Sequence, residues 1–226
     1  MKNLLFVCAI ISVLFACGGE KEMPVKSKVE SVSVSKESYA ESRIRLNQSL
    51  EASPNNFQVL LESATLALEH YDYATAYADA AKAFRIDSSS NRARMMYALS
   101  IINQGNRTVA DISRAQNYLQ IVVDNDPKNS KAMVGLANTY ALQQDFDEAR
   151  LWIDKALQEA PKFFDAHVLQ GSMYKVLSAA LSGEDGSQAL SKAYMDSAIN
   201  TYARVSQYYP DRPVSYTHLT LPTTGS

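Results

Sequence analysis

The stretch from residue 130 to residue 163 decides the fold, and it reads SKAMVGLANTYALQQDFDEARLWIDKALQEAPKF. Large apolar residues recur in it every three or four positions, with small residues at Ala137, Ala149 and Ala156. This period matches the turn of an α-helix, so the stretch predicts helices that each present one apolar face. Small side chains on that face let neighbouring backbones approach closely. A bulky residue in their place would cost roughly 1 to 3 kcal/mol by overpacking.

Start and stop signals flank these apolar patterns. Asp145 is followed three residues later by Glu148, and Thr108 is followed by Asp111 at the same distance. A capping residue with an acidic residue three positions later suits the first turn of a helix. Proline ends helices because the residue before it is driven out of the helical region. The prolines that mark helix ends in this way are Pro127, Pro161 and Pro210.

The spacing of the small and large residues resembles the tetratricopeptide repeat, a family whose unit is a 34-residue pair of antiparallel helices. Residues 130–163 match its signature positions well, whereas residues 57–90 match at some positions and depart at others. The matching residues in 130–163 are Met133, Leu136, Ala137, Tyr140, Ala149, Ile153, Ala156 and Pro161. The departures in 57–90 are Ser63, Ala67, Ala80 and Ser88.

The resemblance implies an all-α fold built from about four repeats and one partial repeat. A single helix pair cannot bury its own apolar stripe, so such repeats stack into a right-handed α-solenoid with a concave inner face. About five extra residues lie near position 105, and about fifteen lie near residues 183–186. The predicted helical domain spans 36–212, with a partial repeat at 36–56 and repeats at 57–90, 91–129, 130–163 and 164–212.

Composition agrees with this fold and argues against one class of partner. The chain has 226 residues, of which 46% are hydrophobic, so one globular unit is expected. Only eight glycines and seven prolines occur, which favours helices. The 22 basic and 24 acidic side chains give a net charge of −2 and form no basic block. Nucleic acid is therefore not an expected partner.

Residues 1–16 predict an export signal. An apolar run covers residues 4–16, which is shorter than the roughly 20 residues that span a bilayer. The run ends in the letters LFAC at residues 14–17, which resembles the lipobox of bacterial lipoproteins. The resemblance implies cleavage before Cys17 and acylation of its thiol, which would anchor the chain in a lipid bilayer. An ordinary signal peptide with a chance cysteine is the alternative.

The residues after the proposed anchor predict a tether and a location. Residues 17–35 are rich in Ser, Lys and Glu without a helical period, so we expect a flexible tether. Gly18 directly after Cys17 resembles the pattern of lipoproteins sorted to the outer membrane. We therefore expect a lipid-anchored protein of the cell envelope, at the outer membrane, on its periplasmic face or at the cell surface.

The last residues differ from everything before them. Residues 213–226 include the run VSYTHLTLPT, which has no Asp, Glu, Lys or Arg. It resembles a translated sequencing adaptor, so we interpret 213–226 as a sequence artefact and exclude it from the fold. On this interpretation the natural C-terminus is unknown. The repeats would then also fit the front part of a larger glycan-binding lipoprotein or envelope enzyme.

The sequence offers few groups for catalysis. His70 and His167 have no His or Cys partner at ligand spacing, and His218 lies in the adaptor-like tail. His167 occupies a signature position for packing. The connection at residues 183–186 has too few oxygen ligands in register for a calcium loop. We therefore expect no enzyme activity, no metal and no cofactor.

In tetratricopeptide proteins, four positions of each first helix line the concave groove and bind protein segments. The resemblance carries this role over to sixteen residues of the present chain. They are Gln58, Leu61, Thr65 and Leu68; Arg92, Met95, Leu99 and Ile102; Lys131, Val134, Asn138 and Ala141; and Asp165, Val168, Ser172 and Lys175.

The chemistry of these positions favours an apolar groove. Lys131 and Asn138 resemble part of a carboxylate clamp, but Leu169 stands where the next repeat would need asparagine. We therefore expect the groove to bind an extended or helical peptide segment, with ordinary packing or solvent exposure as the alternative for each residue. Partner binding and packing between helices are likewise both open for the tyrosines near one helix turn, Tyr71, Tyr73 and Tyr77.

Together these features predict an interaction scaffold. The leading hypothesis is a membrane-anchored adaptor of the bacterial cell envelope that binds other envelope proteins or peptide segments in its concave groove. The alternative, from a different functional class, is the N-terminal part of the larger protein described above.

Overall fold

The computed structural model describes residues 37–182 and 186–211. Nine α-helices make up the regular structure of these two ranges, where no strand occurs. The prediction of an all-α fold is therefore confirmed. The helices are α1 (Tyr39–Ala52), α2 (Phe57–Glu69), α3 (Tyr73–Ile86), α4 (Asn91–Ile102), α5 (Val109–Asn125), α6 (Ser130–Leu142), α7 (Phe146–Glu159), α8 (Phe164–Leu181) and α9 (Gln188–Tyr208).

Several sequence-based predictions lie outside the described residues. They are the export signal at 1–16, the acylation of Cys17, the tether at 17–35, the interpretation of 213–226 and the role of His218.

The helices form four consecutive pairs preceded by α1. Within the pairs, α2 packs on α3, α4 on α5, α6 on α7 and α8 on α9, while α1 packs on α2. The second helix of each of the first three pairs also packs on the first helix of the next pair. Each pair falls within one predicted repeat. The predicted stack of helix pairs is therefore confirmed in the described part of the chain.

The capping signals act as the sequence predicts. The Thr108 hydroxyl accepts a hydrogen bond from the Asp111 N–H at 3.2 Å, and the Asp111 carboxylate accepts one from the Thr108 N–H at 2.9 Å. This reciprocal pair satisfies two N–H groups that the first turn of α5 leaves unpaired. Helices α5, α7 and α9 each end two residues before one of the three marker prolines.

A three-residue turn, residues 143–145, joins the two helices of the third pair. Gln144 has a left-handed backbone with a φ of 64°, which lets the Asp145 N–H donate to the Tyr140 carbonyl at 3.0 Å. This bond closes the end of α6. The Asp145 carboxylate then accepts from the Glu148 N–H at 3.2 Å and starts α7. Tyr71, with a φ of 62°, holds the same place in the first pair.

Small residues bring the backbones of the central helices together. Ala137, Ala149 and Ala156 are fully buried, as the sequence pattern predicts. A Cβ atom added at Gly135 of α6 would lie 2.7 Å from Leu99 Cδ2 and 3.0 Å from Leu119 Cδ2. Helix α6 is therefore wedged against both helices of the preceding pair, at a distance that only glycine allows without rearrangement.

The fourth pair is longer than the others. Helix α8 has 18 residues and α9 has 21, whereas the other helices have 12 to 17. Most of the extra residues predicted near 183–186 thus lengthen these two helices.

Candidate functional site

The first helices of the four pairs carry every predicted groove position. These helices lie side by side, because α2 contacts α4, α4 contacts α6 and α6 contacts α8. We call the surface that they share the first-helix face. The sixteen predicted residues divide on this face into a buried group and an accessible group.

The apolar members of the predicted groove are mostly buried. Leu61 is 1% exposed, and Leu99 and Val134 are each 9% exposed. Val168 packs against Val205 of α9. Such side chains present almost no surface to a partner, so the structure differs from the expected open apolar groove. The cause is the close approach of neighbouring helices that the small residues permit. Buried in the same way are Ile102, Ala141 and Ser172.

Two partly buried apolar residues interrupt this pattern. Leu68 of α2 and Met95 of α4 each pack against two of the hydrophobic clusters of the core. They are therefore fixed in position while part of each side chain remains accessible. They supply the apolar contact area that the first-helix face still offers.

The accessible members of the predicted groove are mainly polar. Gln58, Arg92 and Lys175 are exposed, and Lys131 and Asn138 are half-buried. The hydroxyls of two other polar members already bond within the fold, since Thr65 donates to the Leu61 carbonyl at 2.7 Å and Ser172 lies 3.0 Å from the Tyr202 hydroxyl. Asp165 is half-buried and also engaged in an interaction within the chain.

Four side chains of the first-helix face keep their hydrogen-bonding capacity free. Within residues 37–182 and 186–211, no hydrogen bond or ion pair engages the side chains of Gln58, Arg92, Lys131 or Asn138. Together these groups provide a guanidinium, an ammonium and two amides. We call these four residues the polar strip. It can donate hydrogen bonds to carboxylates and to the carbonyls of a bound backbone.

The electrostatics of the strip favour acidic groups. Arg92 and Lys131 are the second residues of α4 and α6, so their cations lie at the positive ends of two helix dipoles. Asp165 is the second residue of α8, so this helix start carries a negative side chain in place of a positive one. The anion-attracting part of the face therefore lies over the second and third pairs.

A polar network fixes α1 to the first pair. The Arg43 guanidinium donates a hydrogen bond to the Ser63 hydroxyl, which in turn donates to the Asp79 carboxylate. Arg43 and Asp79 also form an ion pair at 3.9 Å. Ser63 is fully buried at a position where the family pattern has leucine. The network explains this departure, because a leucine could not bridge the guanidinium and the carboxylate.

A stacked pair adds to this attachment at the end of α2. The Tyr39 ring lies 4.4 Å from the His70 ring, and the Tyr39 hydroxyl donates to Asp72 at 2.8 Å. Burial raises the pKa of Tyr39, and the hydrogen bond to Asp72 adds to the shift. His70 thus contributes to packing. The sequence did not single out Tyr39, Arg43 or Asp79, and the serine at position 63 was the one local signal.

Tyr77 packs between helices. Its ring lies 5.7 Å from that of Tyr97 in α4, within a cluster of four aromatic rings completed by Phe84 and Tyr118. Burial raises the pKa of Tyr97, and a hydrogen bond with Tyr77 raises it further. The packing interpretation therefore holds for Tyr77. Tyr71 differs, because it is 44% exposed and contacts Tyr73 edge-on.

His167 is buried between α8 and the end of α9. It is 3% exposed, its Nε2 donates to the Pro161 carbonyl at 2.9 Å, and its ring packs on Tyr208. This arrangement agrees with a packing role. In the described ranges no three His, Cys, Asp or Glu side chains lie close enough to hold a metal ion. No described helix is both long and apolar enough to cross a membrane.

Stacked helix pairs that pack through small buried residues define the class of α-helical repeat proteins. Residues 107–162, which cover α5, α6 and α7, match the family model described as tetratricopeptide repeat. These residues therefore carry tetratricopeptide repeats, and the other described helix pairs stack in the same way. A comparison with curated proteins found no match.

Solved structures support the same fold. The human IFIT1 dimer with m7Gppp-AAAA superposes with a TM-score of 0.62 at 17% identity, covering 76% of this chain and 39% of that one. The tetratricopeptide protein TTC0263 of Thermus thermophilus gives 0.53 at 15% identity, covering 76% and 84%. PilW, a type IV pilus biogenesis factor, gives 0.52 at 16% identity, covering 80% and 82%. At these identities the similarity concerns the fold alone.

Proposed function

We propose that the chain is a non-enzymatic interaction scaffold whose polar strip binds a peptide segment that carries acidic groups. The supporting observation is that the side chains of Gln58, Arg92, Lys131 and Asn138 form no hydrogen bond or ion pair with any described residue. Polar groups with no partner inside the fold can gain hydrogen bonds from a partner without breaking existing ones. The neighbouring Leu68 and Met95 supply a limited apolar contact.

The segment expected in the groove is therefore acidic instead of apolar. An apolar segment would have to reach Leu61, Leu99, Val134 and Val168, which are buried. A segment with carboxylates instead meets Arg92 and Lys131 at two helix N-termini. Binding by such a strip is mainly electrostatic and should weaken as salt is added.

Site-specific photo-crosslinking tests the face and its polarity. A photoreactive amino acid replaces Asn138 in one variant and Leu151 of α7 in the other. Leu151 is 45% exposed on a second helix, so it serves as the matched control. We expect protein adducts in cells at Asn138 and none at Leu151. The adducts should disappear when Arg92→Glu and Lys131→Glu are added. Adducts that persist in this charge-reversed variant would refute the role of the polar strip.

We further propose that the scaffold is anchored in the bacterial envelope through Cys17 and displayed at the outer membrane. The lipobox-like residues 14–17 support this proposal. Metabolic labelling with palmitate checks it, because Cys17→Ala should abolish labelling, whereas the control Cys8→Ala should retain it. Equal labelling of the wild type and Cys17→Ala would exclude the anchor.

A further inference from the structure

Helix α1 lies on the first helix pair through one of its faces. Tyr39, Arg43, Leu46 and Leu50 form this face, because their spacing of four, three and four residues follows the turn of an α-helix. Leu46 is 1% exposed, and Leu50 packs against an apolar cluster of α2, α3 and α4. Ile44 lies outside this set and is 59% exposed. We call the four residues the α1 face.

The surface that receives the α1 face is partly polar. The guanidinium of Arg43 meets Ser63 and Asp79, and the hydroxyl of Tyr39 donates a hydrogen bond to Asp72. We call Ser63, Asp72 and Asp79 the α1 seat. Water can hydrate these three side chains when α1 leaves, so exposing the seat costs less than exposing an apolar surface of the same size.

Helix α1 has fewer attachments than the second helices of the stack. The helices α3, α5 and α7 each pack on the first helix of their own pair and on the first helix of the next pair. Helix α1 packs in the second way, on α2, and no helix precedes it in the described ranges to provide the first kind of contact. Its attachment can therefore open locally while the four pairs stay folded.

We propose that α1 is an exchangeable helix and that an amphipathic helix of a partner protein takes its place on the α1 seat. The contacts of α1 define the chemistry of this partner. Its helix carries a tyrosine, an arginine and two leucines at the spacing of the α1 face. The carboxylates of Asp72 and Asp79 favour a basic helix over an acidic one. The polar strip supplies none of these contacts, so the α1 seat is a second binding surface.

The short connection between α1 and α2 sets the affinity that a partner helix needs. Residues 53–56 alone separate the two helices, so α1 is present at its seat at an effective concentration on the order of 1 mM. Because α1 occupies the seat in the folded chain, its affinity as a separate peptide must correspond to a dissociation constant below about 1 mM. Helix α1 is thus a built-in competitor that a partner displaces by binding more tightly.

Peptide binding to a chain with an open seat tests the exchange. The double variant Arg43→Glu, Leu46→Glu disrupts the α1 face and keeps every residue of the seat. The probes are a peptide of residues 37–54 and an alanine-based helix that carries only the four side chains of the α1 face. Amide NMR spectra of the isotope-labelled full chain in mild detergent follow each titration up to about 2 mM.

Both probes should bind the open-seat variant with dissociation constants below about 1 mM and shift the amide signals of Ser63 and Asp79. Binding to the wild-type chain should be at least about tenfold weaker, because its own α1 fills the seat. The charge-reversed variant Arg92→Glu, Lys131→Glu, combined with the open seat, should bind both probes equally well. Failure of the polar strip and failure of the α1 seat are therefore distinguishable.

Two variants of the 37–54 peptide test the contacts of the α1 face. Arg43→Ala removes the group that Ser63 and Asp79 receive, so it should weaken binding at least about tenfold. Ile44→Ala is the matched control, because it also introduces alanine but lies outside the α1 face. It should bind as the unchanged peptide does. Equal binding of the two variants overturns the proposal.

The remaining outcomes also decide the proposal. If circular dichroism shows that the open-seat variant keeps its helix pairs, absence of binding by either probe overturns it, as does equal binding to the wild-type chain. If the variant unfolds, hydrogen exchange of the wild-type α1 amides decides, since the 37–54 peptide at about 2 mM should accelerate it and an unchanged rate overturns the proposal. A wild-type dimer that is lost in the open-seat variant would assign the seat to α1 of a second copy and overturn the proposed partner.

Discussion

The third helix pair and the N-terminal edge are held together by different means. In the centre, α6 is buried on almost all sides by apolar contacts with α4, α5, α7 and α8. At the edge, α1 packs on α2 and is attached to the first pair by the Arg43–Ser63–Asp79 network together with Leu46. The number of neighbours therefore decides whether a helix is fixed by packing or needs a specific polar attachment.

This comparison indicates two levels of cooperativity. In a repeat array each unit interacts only with its neighbours, so a central unit is coupled on both sides and a terminal helix on one. Loss of α1 should be a local event, whereas loss of α6 should disrupt the whole stack. Four pairs of substitutions test this difference, in order of decreasing expected effect.

The same substitution at the two places should give different unfolding. Leu136 in α6 and Leu46 in α1 are 0% and 1% exposed, so their burial is equivalent. Leu136→Ala should lower the free energy of global unfolding by about 2 to 5 kcal/mol. Leu46→Ala should let α1 detach from the stack while leaving the global unfolding transition unchanged. Urea unfolding with hydrogen exchange measures both, and equal global losses would contradict the comparison.

Two glycines test how tightly the centre is packed. Gly135→Leu should destabilise the fold by about 1 to 3 kcal/mol, because its Cβ alone would come within 2.7 Å of Leu99. Gly105→Leu is the control, since nothing lies within 4 Å of its Cβ position. It should change stability by less than about 0.5 kcal/mol. Thermal unfolding followed by circular dichroism measures both. Similar losses in the two variants would show that the close approach at Gly135 is unimportant.

The attachment of α1 should depend on one hydroxyl. Ser63→Ala removes the group between the Arg43 guanidinium and the Asp79 carboxylate, and should cost about 1 kcal/mol locally. Hydrogen exchange of the α1 amides should become faster while that of α6 is unchanged. Ser113→Ala, at an exposed position of α5, is the control. If the α1 amides keep their protection from exchange in Ser63→Ala, then Leu46 and the Tyr39 contacts are enough to hold α1 on the first pair.

The smallest expected effect concerns the cap of α5. Hydrogen bonding from the Thr108 N–H, and then from its hydroxyl, lowers the pKa of Asp111 in the folded chain. A lowered folded-state pKa gives stability that is present above the ordinary value of about 4 and is lost as the pH falls through the folded value. Asp111→Asn should therefore flatten the loss of stability on acidification. Urea midpoints at several pH values measure this slope, with Asp154→Asn as the control for removing a carboxylate. An unchanged slope would argue against the cap.

The sequence predicted more of the fold than of the candidate site. The caps at Thr108 and Asp145, the stops before the prolines and the buried Ala137, Ala149 and Ala156 are local features, so a pattern along one helix is enough to recognise them. Stacking followed from the same alanines, because small residues at regular spacing make sense only where a neighbouring helix approaches.

The site could not be predicted in the same way, because accessibility depends on neighbours that are distant in sequence. Register placed Leu61, Val134 and Val168 in a groove, but close packing of neighbouring helices buries them, and Val168 is covered by Val205 of α9. Asn138 and Lys131 occupy groove positions by the same register and remain accessible. Ser63 looked like a mismatch until Arg43 and Asp79 were found beside it. Residue type and period thus determined the helices and their order, whereas tertiary packing decided which side chains face a partner, because exposure is a property of the space between helices.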